Sequence, residues 1–222
     1  MLQFAVDGVP ERLTVTPRRL LIAGYTGRDQ AAVARHIAEL RAHGIPAPSR
    51  TPALYALTPD RLTTAARLCV VGSQTSGEVE FVLVCVGREL YIGVGSDHTD
   101  RALERLSVAR AKQVCAKPIS AQLWRWADVR DRWDRCVLRS WMDGALYQEG
   151  SVAELLPPEA VLALVEQRVG ADLDQAVVYC GTLPVVGGEL RCGRHFEAVL
   201  SDPVGGRMLR CAYQVDVVDD LD

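Results

Sequence analysis

Nothing in this sequence approaches the ~20 consecutive apolar residues of a membrane span, and residues 1–10 lack the basic-then-apolar order of a secretory signal. The expectation is a soluble cytoplasmic protein with no membrane partner. An excess of basic charge is also missing. With 25 Lys and Arg against 28 Asp and Glu, the formal net charge is −3, and a nucleic-acid partner is excluded for want of the positive field that a polyanion requires. The 7 cysteines are an odd, scattered set with no Cys-x-x-Cys pair, and the 4 histidines are not spaced to complete a zinc set. Most of these thiols sit in apolar runs, such as Leu68-Cys69-Val70 and Val84-Cys85-Val86, which predicts free buried cysteines. Neither a P-loop nor a dinucleotide-binding glycine pattern occurs, and there is no internal repeat or low-complexity tract.

What is present is an ordinary globular composition. Hydrophobic residues make up 49% of the 222 and charged residues 24%, enough for a sizeable core. Apolar runs flank the Asp7-Gly8 turn signal, predicting an opening hairpin, and Arg19–Tyr25 reads as a strand. Val33, Ile37 and Leu40 recur at helical spacing over Asp29–His43, and Pro46, Pro48 and Pro52 then force an extended, lid-like connection. From Arg67 the pattern turns to short strands at Leu68–Val71, Val79–Val86 and Leu90–Val94. A helix is predicted over Thr99–Cys115, and Trp124–Arg135 reads as an exposed face of mixed charges. Cys136–Met142 and Ala145–Gln148 surround Asp143-Gly144, a second hairpin signal. Pro157-Pro158 opens a helix to Gln167, and three further β runs complete the chain. Residues 1–66 read as hairpin, helix and connector, and 67–222 as a β-rich core, together expected to form one compact unit. The class is α+β, a mixed β-sandwich roll with peripheral helices rather than a regular βαβ fold.

The chemistry-bearing feature is Glu78-Val79-Glu80, two carboxylates projecting from one face of a strand. On alternation alone, the solvent face of an amphipathic strand is the favoured reading. A hard divalent cation would relieve the repulsion between the two, and Asp97, just after the next strand, is a candidate third ligand. His36 and Glu39 lie three apart on the predicted helix, so the carboxylate can hold one imidazole nitrogen and leave the other as a base, or the two are a simple surface pair. Cys180 has apolar neighbours and no adjacent histidine, which favours a core thiol over a nucleophile.

Taken in order, these motifs resemble the fumarylacetoacetate hydrolase family, in particular its C-terminal catalytic domain. An acidic Glu-x-Glu strand is matched by Glu78 and Glu80. An Asn-Asp-x-Ser/Thr-x-Arg segment is matched, except at its first residue, by Ser96-Asp97-His98-Thr99-Asp100-Arg101. A lysine ahead of a Cys/Phe-Pro segment is matched by Ala111-Lys112-Gln113-Val114-Cys115-Ala116-Lys117-Pro118. A Gln-x-Gly-Ser/Thr element is matched by Gln148-Glu149-Gly150-Ser151, and a final Gly-Thr-Pro by Gly181-Thr182-Leu183-Pro184, with Leu183 inserted. Upstream, His36-Ile37-Ala38-Glu39 resembles the family's His-x-x-Glu dyad. The resemblance spans roughly residues 20–217, and Asp100 adds a carboxylate to the metal motif.

This resemblance implies a Mg2+ or Mn2+ ion held by Glu78, Glu80 and Asp97. The cation would bind a small keto acid or 1,3-dicarbonyl and stabilise an enolate, most simply during C–C bond hydrolysis. It implies Lys112 as a second positive charge, His36 oriented by Glu39 as base or proton relay, and Gln148, Gly181 and Thr182 as substrate contacts. His98 would support the metal site, Arg101 would brace its loop, and the protein would form a homodimer. Decarboxylation and isomerisation use the same chemistry. A non-catalytic binding protein that keeps the pocket and a cysteine hydrolase built on Cys180 are the readings from other classes.

Overall fold

Strand Val79–Val86 is apolar at every position except Glu80, and this identifies the centre of the molecule: a strand that buries both faces needs a layer on each side. The computed structural model describes residues 1–42 and 44–219, without the side chains of His36 and Leu40. The predicted hairpin forms from β1 (Leu2–Val6) and β2 (Val9–Val15), and β3 (Arg19–Gly24) follows. Helix α1 covers Gln30–Ala42, and the prolines then lead in extended chain to β4 (Ala53–Leu57). His43, the predicted end of that helix, lies outside the described residues.

Next come β5 (Leu62–Thr63), β6 (Arg67–Val71), β7 (Thr75–Ser76), β8 (Val79–Val86), β9 (Glu89–Ser96) and β10 (Thr99–Asp100). The helix expected over Thr99–Cys115 is two short ones, α2 (Arg101–Glu104) and α3 (Val108–Val114). Each has its own cap: Asp100 accepts from Leu103 N–H, and Ser107 accepts from Arg110 N–H. The spacing of Leu103, Leu106 and Ala109 suggests one continuous apolar stripe, but Leu106 is 80% exposed. β11 (Lys117–Pro118) and β12 (Gln122–Arg125) follow. The stretch Trp124–Arg135 is a second correction. Its charged residues face outward as expected, but Trp124 and Trp133 are buried, and Trp133 packs edge-on against Phe81 at 5.1 Å.

The remaining strands are β13 (Val137–Met142), β14 (Ala145–Ser151), β15 (Ala176–Thr182), β16 (His195–Asp202) and β17 (Arg207–Val218), with α4 (Pro158–Val169) between β14 and β15. The turn between β13 and β14 holds Asp143 at φ 49° and Gly144 at φ 80°, the left-handed pair that a tight hairpin demands.

Two large sheets result. One has eight strands in the order β2-β1-β12-β9-β8-β15-β3-β4, and the other five in the order β14-β13-β16-β17-β6. Strands from residues 1–66 thus pair within the same sheet as β8, β9 and β15. Phe81, Leu83, Leu138, Phe196, Leu200 and Val215 belong to the larger buried core. Val82 and Val84, on the opposite face of β8, join Phe4, Leu20, Ile22 and Tyr179 in a second core. This is the expected two-sheet roll with peripheral helices. Five of the seven cysteines are buried, all seven are free, and Cys69 and Cys192 are exposed.

Candidate metal centre

The N-terminal end of β8 meets the C-terminal ends of β9 and β15. Across these neighbours Glu80 is in register with Gly95 on one side and Thr182 on the other. Glu78 just precedes β8, and Asp97 just follows β9, with its N–H donated to Glu78 O at 3.0 Å. One oxygen from each of Glu78, Glu80 and Asp97 lies within 4.8 Å of the others, the only such acidic, His or Cys group among the described residues. The solvent-face alternative for this Glu-x-Glu fails because β8 is covered on both sides, leaving Glu80 2% and Asp97 0% exposed.

Burial and the neighbouring Asp97 push the Glu80 carboxyl well above its ordinary value, against the opposing pull of Lys112 and the Gly181 N–H. That N–H donates to Glu80 Oε2 at 2.8 Å, and it is available because the β15–β8 ladder is irregular between Tyr179 and Thr182. Asp97 is also desolvated, but Lys112 and Lys117 beside it outweigh burial and bring it down to about 2. Lys112 Nζ donates to Asp97 Oδ2 and lies 3.9 Å from Glu78 Oε2; Lys117 Nζ lies 3.1 Å from Asp97 Oδ1 and donates to His98 O. Burial disfavours charge on Lys112, but Asp97, Glu78 and Glu104 together hold it firmly protonated. Lys117, with a single carboxylate partner and Lys112 nearby, is lowered by its burial.

Further polar residues surround this group. Arg101 donates from Nε to Ser76 at 2.7 Å and from Nη1 to Glu104 at 3.0 Å, and its Nη2 lies 3.2 Å from Glu78 Oε1, bracing the loop. His98 bridges Tyr213 and Thr75 at 2.9 Å each, and burial together with Lys117 and Arg101 lowers it to about 3, a neutral imidazole. Asp100, the extra carboxylate, is spent on capping α2. Gln148 is fully buried. Its Oε1 accepts from Val79 N–H and Ser140 Oγ at 2.9 Å, and its Nε2 donates to Thr182 Oγ1 and Leu183 O at 2.7 Å. Thr182 in turn donates to Val79 O at 2.8 Å. Glu39 is exposed on α1, and His36, the other half of the expected dyad, has a side chain outside the described residues. Cys180 is fully buried and its thiol pushed well up by that burial, as a core residue should be. His195 opens β16.

Three residues escaped the sequence reading. Tyr55 has its ring centroid 5.9 Å from Lys112 Nζ. Tyr25, at φ 59°, has its hydroxyl raised to about 12, first by burial and then by Tyr55, against the opposing charge of Lys112. Lys117 is the third; it lies within the matched segment Ala111–Pro118, where the sequence reading gave it no role.

The donor set fits a hard divalent cation. It is all oxygen and anionic, and it contains a buried carboxylate that the lysines leave incompletely neutralised. In class, the molecule is a two-sheet β roll with an acidic centre at the end of its central strands. Chains of the same fold are found among solved structures. A presumed fumarylacetoacetate isomerase/hydrolase from Oleispira antarctica has a TM-score of 0.72 at 20% identity, covering 97% of this chain and 100% of that one. Fumarylpyruvate hydrolase from Pseudomonas aeruginosa, described with Mn2+ and pyruvate, has a TM-score of 0.65 at 16% identity, covering 99% and 96%. The 2-hydroxyhepta-2,4-diene-1,7-dioate isomerase of Mycobacterium marinum has a TM-score of 0.61 at 17% identity, covering 94% and 77%. No curated protein matches significantly. The chain belongs to the family described as Protein of unknown function (DUF2848), whose model matches residues 23–213. No helix among the described residues is long and apolar enough to cross a membrane.

Proposed function

We propose that this protein is a divalent-metal-dependent enzyme acting on a small keto acid or 1,3-dicarbonyl compound through an enolate, with C–C bond hydrolysis as its simplest reaction. The observation that carries this reading is the group Glu78, Glu80 and Asp97, with ligand atoms within 4.8 Å of one another and Glu80 buried beside a cationic lysine. The fold neighbour described with Mn2+ and pyruvate supports both the ion and an oxo-acid substrate. When bound, a divalent cation supplies Lewis acidity toward the substrate's carbonyl oxygens.

The protein's own residues divide the remaining work. Glu78, Glu80 and Asp97 hold the cation, and the Gly181 N–H fixes the orientation of Glu80. Lys112, buried and protonated, presents positive charge to an anion forming beside it. His36, oriented by Glu39, takes the proton from a water. Thr182, beside Gly181, meets the substrate carboxylate by turning its hydroxyl from Val79 O to that group, and Gln148 sets the position of Thr182 through its 2.7 Å bond. Decarboxylation or double-bond isomerisation would draw on the same groups. We include in this proposal Mg2+ as the alternative ion and a homodimeric state in the cytoplasm.

Calorimetric titration with Mn2+ of the wild type and of Glu80→Gln tests the reading. Saturable binding to the wild type, weakened at least about tenfold in the variant by loss of one ligand charge, is expected. Acylpyruvates and oxo-acids then become the substrates to screen. A folded wild type that binds neither Mn2+ nor Mg2+ would overturn it.

A further inference from the structure

The site contains a cation for which the proposed chemistry has no use. Lys117 is 0% exposed, and its ammonium lies under Asp97 on the side away from Lys112: Lys112 takes Oδ2, and Lys117 lies 3.1 Å from Oδ1. Its position is fixed by backbone. Pro118 holds the preceding residue extended. β11 pairs in parallel with β5 (Lys117↔Leu62), and Tyr179 OH donates to Lys117 O at 3.0 Å and to Pro118 O at 2.9 Å. The ammonium also donates to His98 O, so the carboxylate and backbone carbonyl of successive residues share one lysine. A surface lysine swings on a flexible stem, whereas this one enters the site from below with its anchor bonded to the second core.

We propose that Lys117 is a resident counter-charge of the metal centre: it occupies one oxygen of Asp97 and offsets its charge, keeping the loop after β9 assembled without an ion and weakening the site's hold on a divalent cation. The inference rests on reading Glu78, Glu80 and Asp97 as a cation site. Around that site the carboxylates of Glu78, Glu80, Asp97 and Glu104 face the cations of Lys112, Lys117 and Arg101. Without Lys117, a fully buried aspartate would keep Lys112 alone, and an incoming ion would meet a more negative site. With it, both Asp97 oxygens already carry a lysine, and an incoming ion must share one of them. Lys117 thus acts through Asp97 as a positioning residue.

The test is Mn2+ binding by calorimetry, with thermal unfolding in the presence and absence of Mn2+, for the wild type, Lys117→Met and Lys117→Gln. Methionine keeps the length without the charge, and glutamine keeps a donor for Asp97 without the charge. Both variants should bind Mn2+ at least about tenfold more tightly, the factor Coulomb's law gives for a unit charge roughly 5–6 Å from a divalent ion even at the dielectric constant of water. Both should lose melting temperature without Mn2+ and regain more on its addition than the wild type does. A purely structural lysine would leave affinity unchanged or lower it, and that result in the folded variants would overturn the proposal while leaving the metal reading intact. Variants that bind Mn2+ beside a wild type that does not would support the counter-charge and sink the metal-dependent enzyme. If none of the three proteins binds, both ideas fail. Two variants that remain unfolded even with Mn2+ would also refute the counter-charge, because an ion able to replace it would have restored the fold.

Discussion

Gly181→Ala tests the link between backbone and site most directly. At φ +94° the new Cβ would enter a conformation that costs an L-residue about 1–2 kcal/mol. It would also lie 2.0 Å from Thr26 Oγ1, 3.2 Å from Thr26 Cβ and 3.4 Å from Ala23 O. Thr26 is buried and has its hydroxyl committed to Cys180 O at 2.7 Å, so it has no empty space to retreat into. Overpacking of this kind adds about 1–3 kcal/mol. The expected loss is therefore about 2–5 kcal/mol in urea unfolding, a large part of a typical domain's stability. Thr26→Ala in the same chain removes the closest clash but leaves the dihedral cost. The double variant should thus be more stable than the sum of the single losses predicts, by about 1 kcal/mol or more. Mn2+ affinity should fall in Gly181→Ala, since Glu80 depends on the displaced N–H. A single variant that loses less than about 1 kcal/mol, or two losses that simply add, would refute this account of the site.

Other expectations follow from single residues. Asp202, 0% exposed, accepts from Gly205 N–H at 2.9 Å and from Arg132 at 2.7 Å. Burial alone would raise its carboxyl, but these donors and Arg207 bring it below the usual range. A lowered carboxylate contributes stability above its ordinary value near pH 4 and loses it as pH falls through the folded value. Asp202→Asn should accordingly flatten the acid limb of a stability-against-pH curve, and an unchanged limb would contradict the assignment. Gln148→Leu leaves Val79 N–H and Leu183 O without their partner and should cost about 2–4 kcal/mol by urea unfolding; a loss under about 1 kcal/mol would show the amide to be dispensable. Alkylation of the native protein followed by mass spectrometry should label Cys69 and Cys192 and spare the five buried thiols. Rapid labelling of Cys180 would revive the cysteine-hydrolase alternative.

The fold was legible where local chemistry is unambiguous. Asp7-Gly8 and Asp143-Gly144 both turn hairpins, and Pro158 opens α4 as its position requires. Reading failed where a cap or tertiary packing decided. Ser107 restarts a helix that periodicity ran through, and Trp124 and Trp133 are core residues although arginines and aspartates surround them in sequence. Glu78, Glu80 and Asp97 were legible as a set only through motif order, because strand alternation argued for a wet face. Lys117 and Tyr25 were invisible for a different reason. Burial of a lysine depends on what lies across the fold, and a left-handed tyrosine carries no sequence mark.

The connection between fold and chemistry is the interrupted ladder at the end of β15. Pairing is regular from Val177↔Val84 to Tyr179↔Val82 and resumes at Thr182↔Glu80, so two residues on one strand are passed over between these pairs. The N–H of Gly181 lies inside this gap, outside the paired register. The irregularity gives it to the Glu80 side chain, and the following hydroxyl, Thr182, returns to Val79 O to close the gap. Only a residue without Cβ can pass Thr26 at that point. Glu80 therefore remains in the core at the cost of one backbone irregularity, one glycine and the two lysines that bind its neighbour Asp97. An apolar residue at position 80 would need none of these, and their combined presence is what supports the proposal that the carboxylate is kept there to hold a cation.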